Sequence, residues 1–253
     1  MLASTSPLVN PLLLNLERYV RLSIEDRDEI DKLKSAPAYE IRARSDLIHE
    51  GQNPSVVRLI VSGWACRYKD LLNGRRQIVG IFVPGDFCDL NVYILRQMDH
   101  SIGAITPVKY LAIPPDMIER LTHRRPRVAQ ALLWHNLVEA SVAREWLLNI
   151  GQRSAVERLG HLLVELLFRL RAIGMAQEDT IDFPLTQTDL AEVTGVTPVH
   201  INRTLKELRS AGLIELKAKR LKILDLEQLM GLSMFNPNYL HLDREGRHLD
   251  SNE

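Results

Sequence analysis

Arg203 and Asn202 are the side chains whose chemistry stands out in this chain. Arginine carries a planar fork of donors that can bind a guanine edge at two points, and asparagine can pair with an adenine edge in the same way. Both lie in the run PVHINRTLKEL with Val199, His200 and Lys206. Ile201, Leu205 and Leu208 recur at i, i+4 and i+7, so they share one helix face and leave the polar set on the other. Thr197 is an N-cap residue, and Pro198 takes the first helical position, where a missing N–H costs nothing.

These residues need a frame that holds them rigidly, and the preceding residues supply it. Thr186 caps an earlier helix, and Asp189, three residues on, can reach back to the free N–H groups there. Leu190, Ala191 and Val193 give that helix an apolar face; Ala191 is small enough for a close helix crossing. Gly195 falls where the chain must turn with a positive φ. Leu185–Leu213 therefore reads as a helix-turn-helix with Val199, His200, Asn202, Arg203 and Lys206 on its reading face. Two short strands follow, Leu213–Leu216 and Leu221–Leu224, joined by the basic tip Lys217-Ala218-Lys219-Arg220, a wing. From His200 to Lys222 seven Lys/Arg face two Glu, a local charge of +5, in a chain with 32 residues of each sign. A local basic face on a neutral protein points to phosphate binding, and so to double-stranded DNA as partner.

The 253 residues allow one large or two ordinary domains, and 45% apolar with 25% charged content is that of a folded chain. No apolar run reaches the ~18 residues that span a bilayer, and no signal-like N-terminus is present, so a cytoplasmic protein without membrane contact is expected. Cys66 and Cys88 are too few for a four-thiolate metal site, and no metal or cofactor is expected. Residues 1–7 are expected to fray. Helices are expected within residues 11–34, with Ser23 as a cap. From Ala38 to Ile113 the period is two, with turn signals every 8–12 residues, which predicts an antiparallel β-roll of jelly-roll type. Trp64, Cys66 and Tyr68 are expected inward with Ala65, Arg67 and Lys69 outward. Asn73-Gly74 is expected as a two-residue hairpin, and Gly51, Gly63, Gly74, Gly80, Gly85 and Gly103 as turns. A helix over 126–150, closed by Gly151, carries two apolar stripes. Val128, Ala131, Trp134, Val138, Val142 and Trp146 fit the roll; Leu133, Leu137, Ala140 and Leu147 fit a second copy of the chain, giving a homodimer. A further helix spans 154–172. The fold class is α+β, with domains at 1–125 (sensor roll), 126–150 (dimerisation helix), 151–235 (winged helix-turn-helix) and 236–253 (tail).

The order of roll, long helix and winged helix-turn-helix resembles the Crp/Fnr family of bacterial transcription regulators. Gly51, the SGWACRYK strand, Pro84-Gly85-Asp86-Phe87, LTQTDLAEVTGVTPVHINRTLKEL and the closing Phe235–His241 carry the resemblance. It implies a homodimer on a near-palindromic operator, with RNA polymerase as a further partner and a small-molecule effector in the roll. The family's base-reading positions fall on Pro198, Val199, Asn202 and Arg203, and its phosphate contacts on Thr186 and Thr188. Where the cyclic-AMP branch carries Gly-Glu for the ribose and Arg-Ser for the phosphate, this chain has Asp89-Leu90 and His100-Ser101. The adenine-contact positions fall on Ala143 and Arg144. A buried phosphate needs a cation, so loss of the arginine predicts no tight cyclic AMP binding and leaves the effector unidentified.

An enzyme is not expected: GxSxG, P-loop, HExxH and GxGxxG motifs are all missing. A redox regulator using Cys66 and Cys88 on neighbouring strands is one alternative. A cyclic-nucleotide-binding regulatory module is another, though it leaves the wing and the basic face unexplained.

Overall fold

The computed structural model describes residues 10–242, so the expectation for residues 1–7 lies outside the described residues. Two short helices open it, α1 (Pro11–Glu17) and α2 (Ile24–Asp31), the second closed at its start by a Ser23–Asp26 capping box. Eight strands follow: β1 (Ala38–Ile41), β2 (Asp46–Ile48), β3 (Val57–Ser62), β4 (Ala65–Asp70), β5 (Arg76–Phe82), β6 (Phe87–Cys88), β7 (Ser101–Ala104) and β8 (Val108–Ile113). They form two antiparallel sheets, ordered β1-β8-β3-β6 and β2-β7-β4-β5, which is the expected roll. Helices α3 (Pro115–Arg124), α4 (Pro126–Gln152) and α5 (Ala155–Ala172) lead to a second domain. There β9 (Ala176–Gln177) and β10 (Thr180–Asp182) precede α6 (Gln187–Thr194), α7 (Pro198–Ser210), β11 (Ile214–Lys217), β12 (Arg220–Ile223) and α8 (Leu226–Leu232). The whole is α+β.

Several local expectations need correction. The β4–β5 turn is not a two-residue hairpin: Asp70 pairs with Arg76, and Leu71 N–H donates to the Arg75 carbonyl (2.8 Å), so five residues make the loop. Gly80 and Gly103 lie within strands. A Cβ on Gly103 would meet Asp46 at 2.9 Å and Tyr68 at 3.1 Å, so close approach rather than turning demands glycine there. Gly151 does not end the long helix, which runs to Gln152 and caps at Arg153. Arg67 does not point out to solvent; it lies over the Phe82 ring (4.9 Å). Cys66 pairs with strands β5 and β7, whereas Cys88 pairs with β3 in the other sheet, so they do not lie on neighbouring strands.

The two stripes of α4 separate as expected. Val128, Ala131, Val138, Val142 and Trp146 are buried against the body, and half-buried Trp134 stacks on Tyr19. Leu133 (60% exposed), Leu137 (59%) and Leu147 (75%) face outward with Ala140 and Ala143.

A buried polar network joins the roll, α4, α5 and the chain after α8. Glu165 is fully buried and accepts from Trp146 Nε1 (3.0 and 3.1 Å) and from the Tyr239 hydroxyl (2.8 Å). Arg169 reaches both Glu165 (3.5 Å) and Asp86 (2.9 Å), and Asp86 also accepts from Val83 N–H (2.8 Å). Burial raises the Glu165 carboxyl above its usual range despite these donors. The turn Pro237–Leu240 thus packs against the body, and Arg18 also donates to the Leu240 carbonyl (3.0 Å).

Candidate nucleic-acid interface

The helix-turn-helix forms at the expected boundaries for local reasons. Thr186 and Asp189 make a reciprocal capping box: the Thr186 hydroxyl accepts from Asp189 N–H (3.2 Å), and the Asp189 carboxylate accepts from Thr186 N–H (2.7 Å). Gly195 ends α6 at φ 69°, its N–H donating to the Ala191 carbonyl (2.9 Å). Thr197 caps α7 by accepting from His200 N–H (3.3 Å), with Pro198 first in the helix. Arg158 on α5 donates to the Thr194 carbonyl (2.8 Å) and so fixes the turn to the body.

Ile201, Thr204, Leu205 and Leu208 of α7 are buried. Pro198, Val199 (81% exposed), Asn202, Arg203 and Lys206 stand outward together, with His200 half-buried. Arg203 makes no ion pair among the described residues, and its guanidinium donates only to His200 Nε2 (3.4 Å). Asn202 donates to Gln187 (3.3 Å), which ties the reading helix to the start of α6. Thr186 and Thr188 are exposed at that start.

The wing is a hairpin with Lys217 opposite Arg220. Ala218 and Lys219 form its two-residue turn at φ 49° and 59°, left-handed values usually taken by Asn and Gly. Lys219 is fixed by its carbonyl, which accepts from Phe183 N–H (2.7 Å). Lys217, Lys219 and Arg220 are exposed, and Arg220 also donates to Gln177 (3.3 Å). The outer face of α7 and the wing thus expose a guanidinium fork, an amide and several cations together, groups whose chemistry suits base edges and phosphates.

Of the expected effector positions, Asp89 and His100 are brought together in the roll, while Ala143 and Arg144 lie apart from them on α4. Asp89, at φ 60°, is held by Arg67 (2.6 Å) and by His100 Nε2 (2.9 Å), while His100 Nδ1 lies against Asp99 (2.7 Å). Burial pushes the Asp89 carboxyl up, but the His100 bond and the Arg67 charge outweigh it and hold the group below its usual range. Leu90 is buried in the apolar core. The Ser101 hydroxyl accepts from Glu50 N–H (2.9 Å). Ala143 and Arg144 are exposed on the outer face of α4, and the α4 residue that approaches Arg67 is Glu139, a turn earlier (3.7 Å). Sequence reasoning missed Arg67 and Glu139; strand alternation placed the arginine outside, and nothing in α4 marked the glutamate. Burial pushes the Cys66 thiol up to about 12 and raises that of Cys88 well above its usual value, which leaves both as poor nucleophiles.

Two domain families match the chain: the cyclic nucleotide-binding domain over residues 39–125 and the Crp-like helix-turn-helix domain over residues 157–232. The nitrogen fixation regulation protein FixK of Bradyrhizobium diazoefficiens is 30% identical over 175 residues, covering 69% of this chain and 72% of that protein. The transcriptional activator protein FnrL of Cereibacter sphaeroides is 28% identical over 203 residues, 79% of this chain and 80% of its own. The fold of FixK2 from Bradyrhizobium japonicum superposes with a TM-score of 0.71 at 23% identity, over 79% of this chain and 98% of that one. No helix among the described residues is long and apolar enough to cross a membrane. With both domains in the order its sequence and fold require, the chain belongs to the Crp/Fnr family of transcription regulators.

Proposed function

We propose that this regulator acts as a homodimer that reads a near-palindromic operator, one recognition helix per half-site. The observation that carries this reading is the outer face of α7, where Val199, Asn202, Arg203 and Lys206 stand exposed together beside a basic wing. Pro198, Val199, Asn202 and Arg203 meet base edges. Thr186, Thr188, Thr197, Lys217, Lys219 and Arg220 meet phosphates, with His200 and Lys206 at the margin. The dimer seam is Leu133, Leu137, Ala140, Arg144 and Leu147, whose spacings of 4, 3, 4 and 3 are those of a coiled-coil seam. Three leucines more than half exposed on one helix line support that partner. Residues 1–125 form the sensor unit, 126–150 the dimerisation helix and 151–235 the reader. The turn within 236–253 that packs on Glu165 belongs to the reader's anchorage. A cytoplasmic location and RNA polymerase as a partner follow from the role.

The roll does not bind cyclic AMP tightly. Arg67, the cation bonded to Asp89, is already matched by it and approached by Glu139, so an incoming phosphate would meet two carboxylates. The test of the dimer is sedimentation with a selected palindrome. Two chains per duplex are expected for the wild type, and Leu137→Asp should sediment as a monomer without the complex. One chain per duplex for the wild type would contradict the reading.

A further inference from the structure

A small cavity of about 30 Å³ lies where α1, the turn before β6, α4, α5 and the chain after α8 meet. Arg18 and Arg169 line it together with Asp86 and Glu139, so its charges balance, and His135 of α4 completes the polar wall. Most of these groups are already matched. The Asn15 amide donates to Asp86 (3.4 Å) and its oxygen accepts from Arg18 Nη1 (3.2 Å). Arg18 Nη2 donates to the Leu240 carbonyl (3.0 Å), and Arg169 holds Asp86 (2.9 Å). Two nitrogens are not matched: Arg18 Nε and His135 Nε2 are buried and have no hydrogen-bond partner among the described residues. His135 is only 6% exposed, and its ring stands edge-on to Phe87 at 6.0 Å. Glu139 likewise accepts no hydrogen bond among the described residues; Arg67 approaches it at 3.7 Å, too far for one.

Buried polar groups left without a partner are costly, so the chemistry of the wall selects what fills the space. Arg18 Nε can only donate, whereas His135 Nε2 donates or accepts according to its tautomer. An anion would stand against the carboxylates of Asp86 and Glu139, and a cation against the guanidinium groups of Arg18 and Arg169. An apolar guest would leave both nitrogens bare. The occupant must therefore be small and neutral, and must both donate and accept. Water meets these demands, and the cavity matches the roughly 30 Å³ that one molecule takes up in the liquid.

We infer that this cavity is a binding site for an internal water that accepts from Arg18 Nε, bonds His135 Nε2 and donates to the Glu139 carboxylate. Those three bonds are about the usual number for a buried water. The site stands between two polar clusters. Glu139 faces Arg67 and, through it, Asp89 and His100 of the roll; Arg169 joins Asp86 to Glu165 and so to Tyr239. The polar joint between the roll and the anchorage of the reader is thus completed by a molecule that is not part of the chain.

Two measurements test the site. The first is a crystal structure of the wild type that resolves ordered water, grown with bromide as the halide. A peak within hydrogen-bonding distance of Arg18 Nε and His135 Nε2, without the anomalous signal of bromide, is expected. No peak there, or a peak with that signal, would overturn the inference. The second is oxygen-17 relaxation dispersion of water in solutions of the wild type and of the double variant Arg18→Met, His135→Phe, which keeps side-chain bulk and removes both nitrogens. The variant should lose the amplitude of one long-lived water per chain. Equal amplitudes from two proteins with the same circular dichroism would overturn the inference, and the wild-type crystals decide it if the variant does not fold.

Discussion

Arg203→Ala isolates the side chain to which base reading is assigned in the proposed function. The guanidinium is exposed, makes no ion pair among the described residues and touches only His200 at the long distance of 3.4 Å. Its removal should therefore leave folding stability within about 0.5 kcal/mol, as for other surface changes away from special features. The loss then appears in binding alone. One bidentate pair to a guanine contributes about 1–3 kcal/mol of discrimination, or roughly 5- to 150-fold in Kd at about 1.4 kcal/mol per decade. The assay is a fluorescence titration at fixed salt against the selected operator and against the same duplex with each base in turn at every half-site position. The variant should lose affinity for the operator and lose its preference at one position per half-site, while its affinity for random duplex stays within about twofold. Equal operator binding by variant and wild type would show that α7 is not the reading helix or lies in a different register.

Other expectations follow from the same geometry. Lys219→Ala at the wing tip should weaken all duplexes about equally and flatten the plot of log affinity against log salt by roughly one unit; an effect confined to one sequence would contradict its role as a phosphate contact. His161 is buried against Tyr239 and Phe235 and its pKa is pushed down to about 3 by burial and by the charge of Arg153. The folded state thus keeps it neutral while the unfolded chain protonates it below about 6.5. Stability should fall as pH drops through that window, by up to about 1.4 kcal/mol per unit. His161→Phe should flatten the slope in urea titrations between pH 6.5 and 4, and an unchanged slope would refute the assignment. Calorimetric titration with cyclic AMP should give no saturable heat; saturable binding would mean that Asp89 yields Arg67 to a phosphate.

The reading head was legible because its signals are local. Caps, a turn glycine and a 3.6-residue period all act within a few residues, and each constrains the backbone directly. Thr186, Asp189, Gly195, Thr197 and Pro198 take the places their chemistry demands. The roll was legible only in outline. Its two-residue strand β6 and three-residue β2 are too short for a period to show. Gly103 is fixed by the side chain of Tyr68 from another strand, which no local pattern records. The Arg67–Asp89–His100 cluster joins residues up to 33 apart across strands, and Arg44–Asp189 joins two domains. Such pairings are set by the tertiary fold, so sequence spacing says nothing of them. The outer leucines of α4 are the reverse case. Their spacing is plain in the sequence, and their exposure in one chain is what a seam for a second copy requires.

The most direct measurement is selection of bound sequences from a random duplex pool with purified protein and no added ligand. Enrichment of a two-fold motif with half-sites about one helical turn apart is the predicted result. Recovery of single, unpaired half-sites, or no enrichment from a protein that sediments as a folded dimer, would contradict a dimer that reads DNA through two recognition helices.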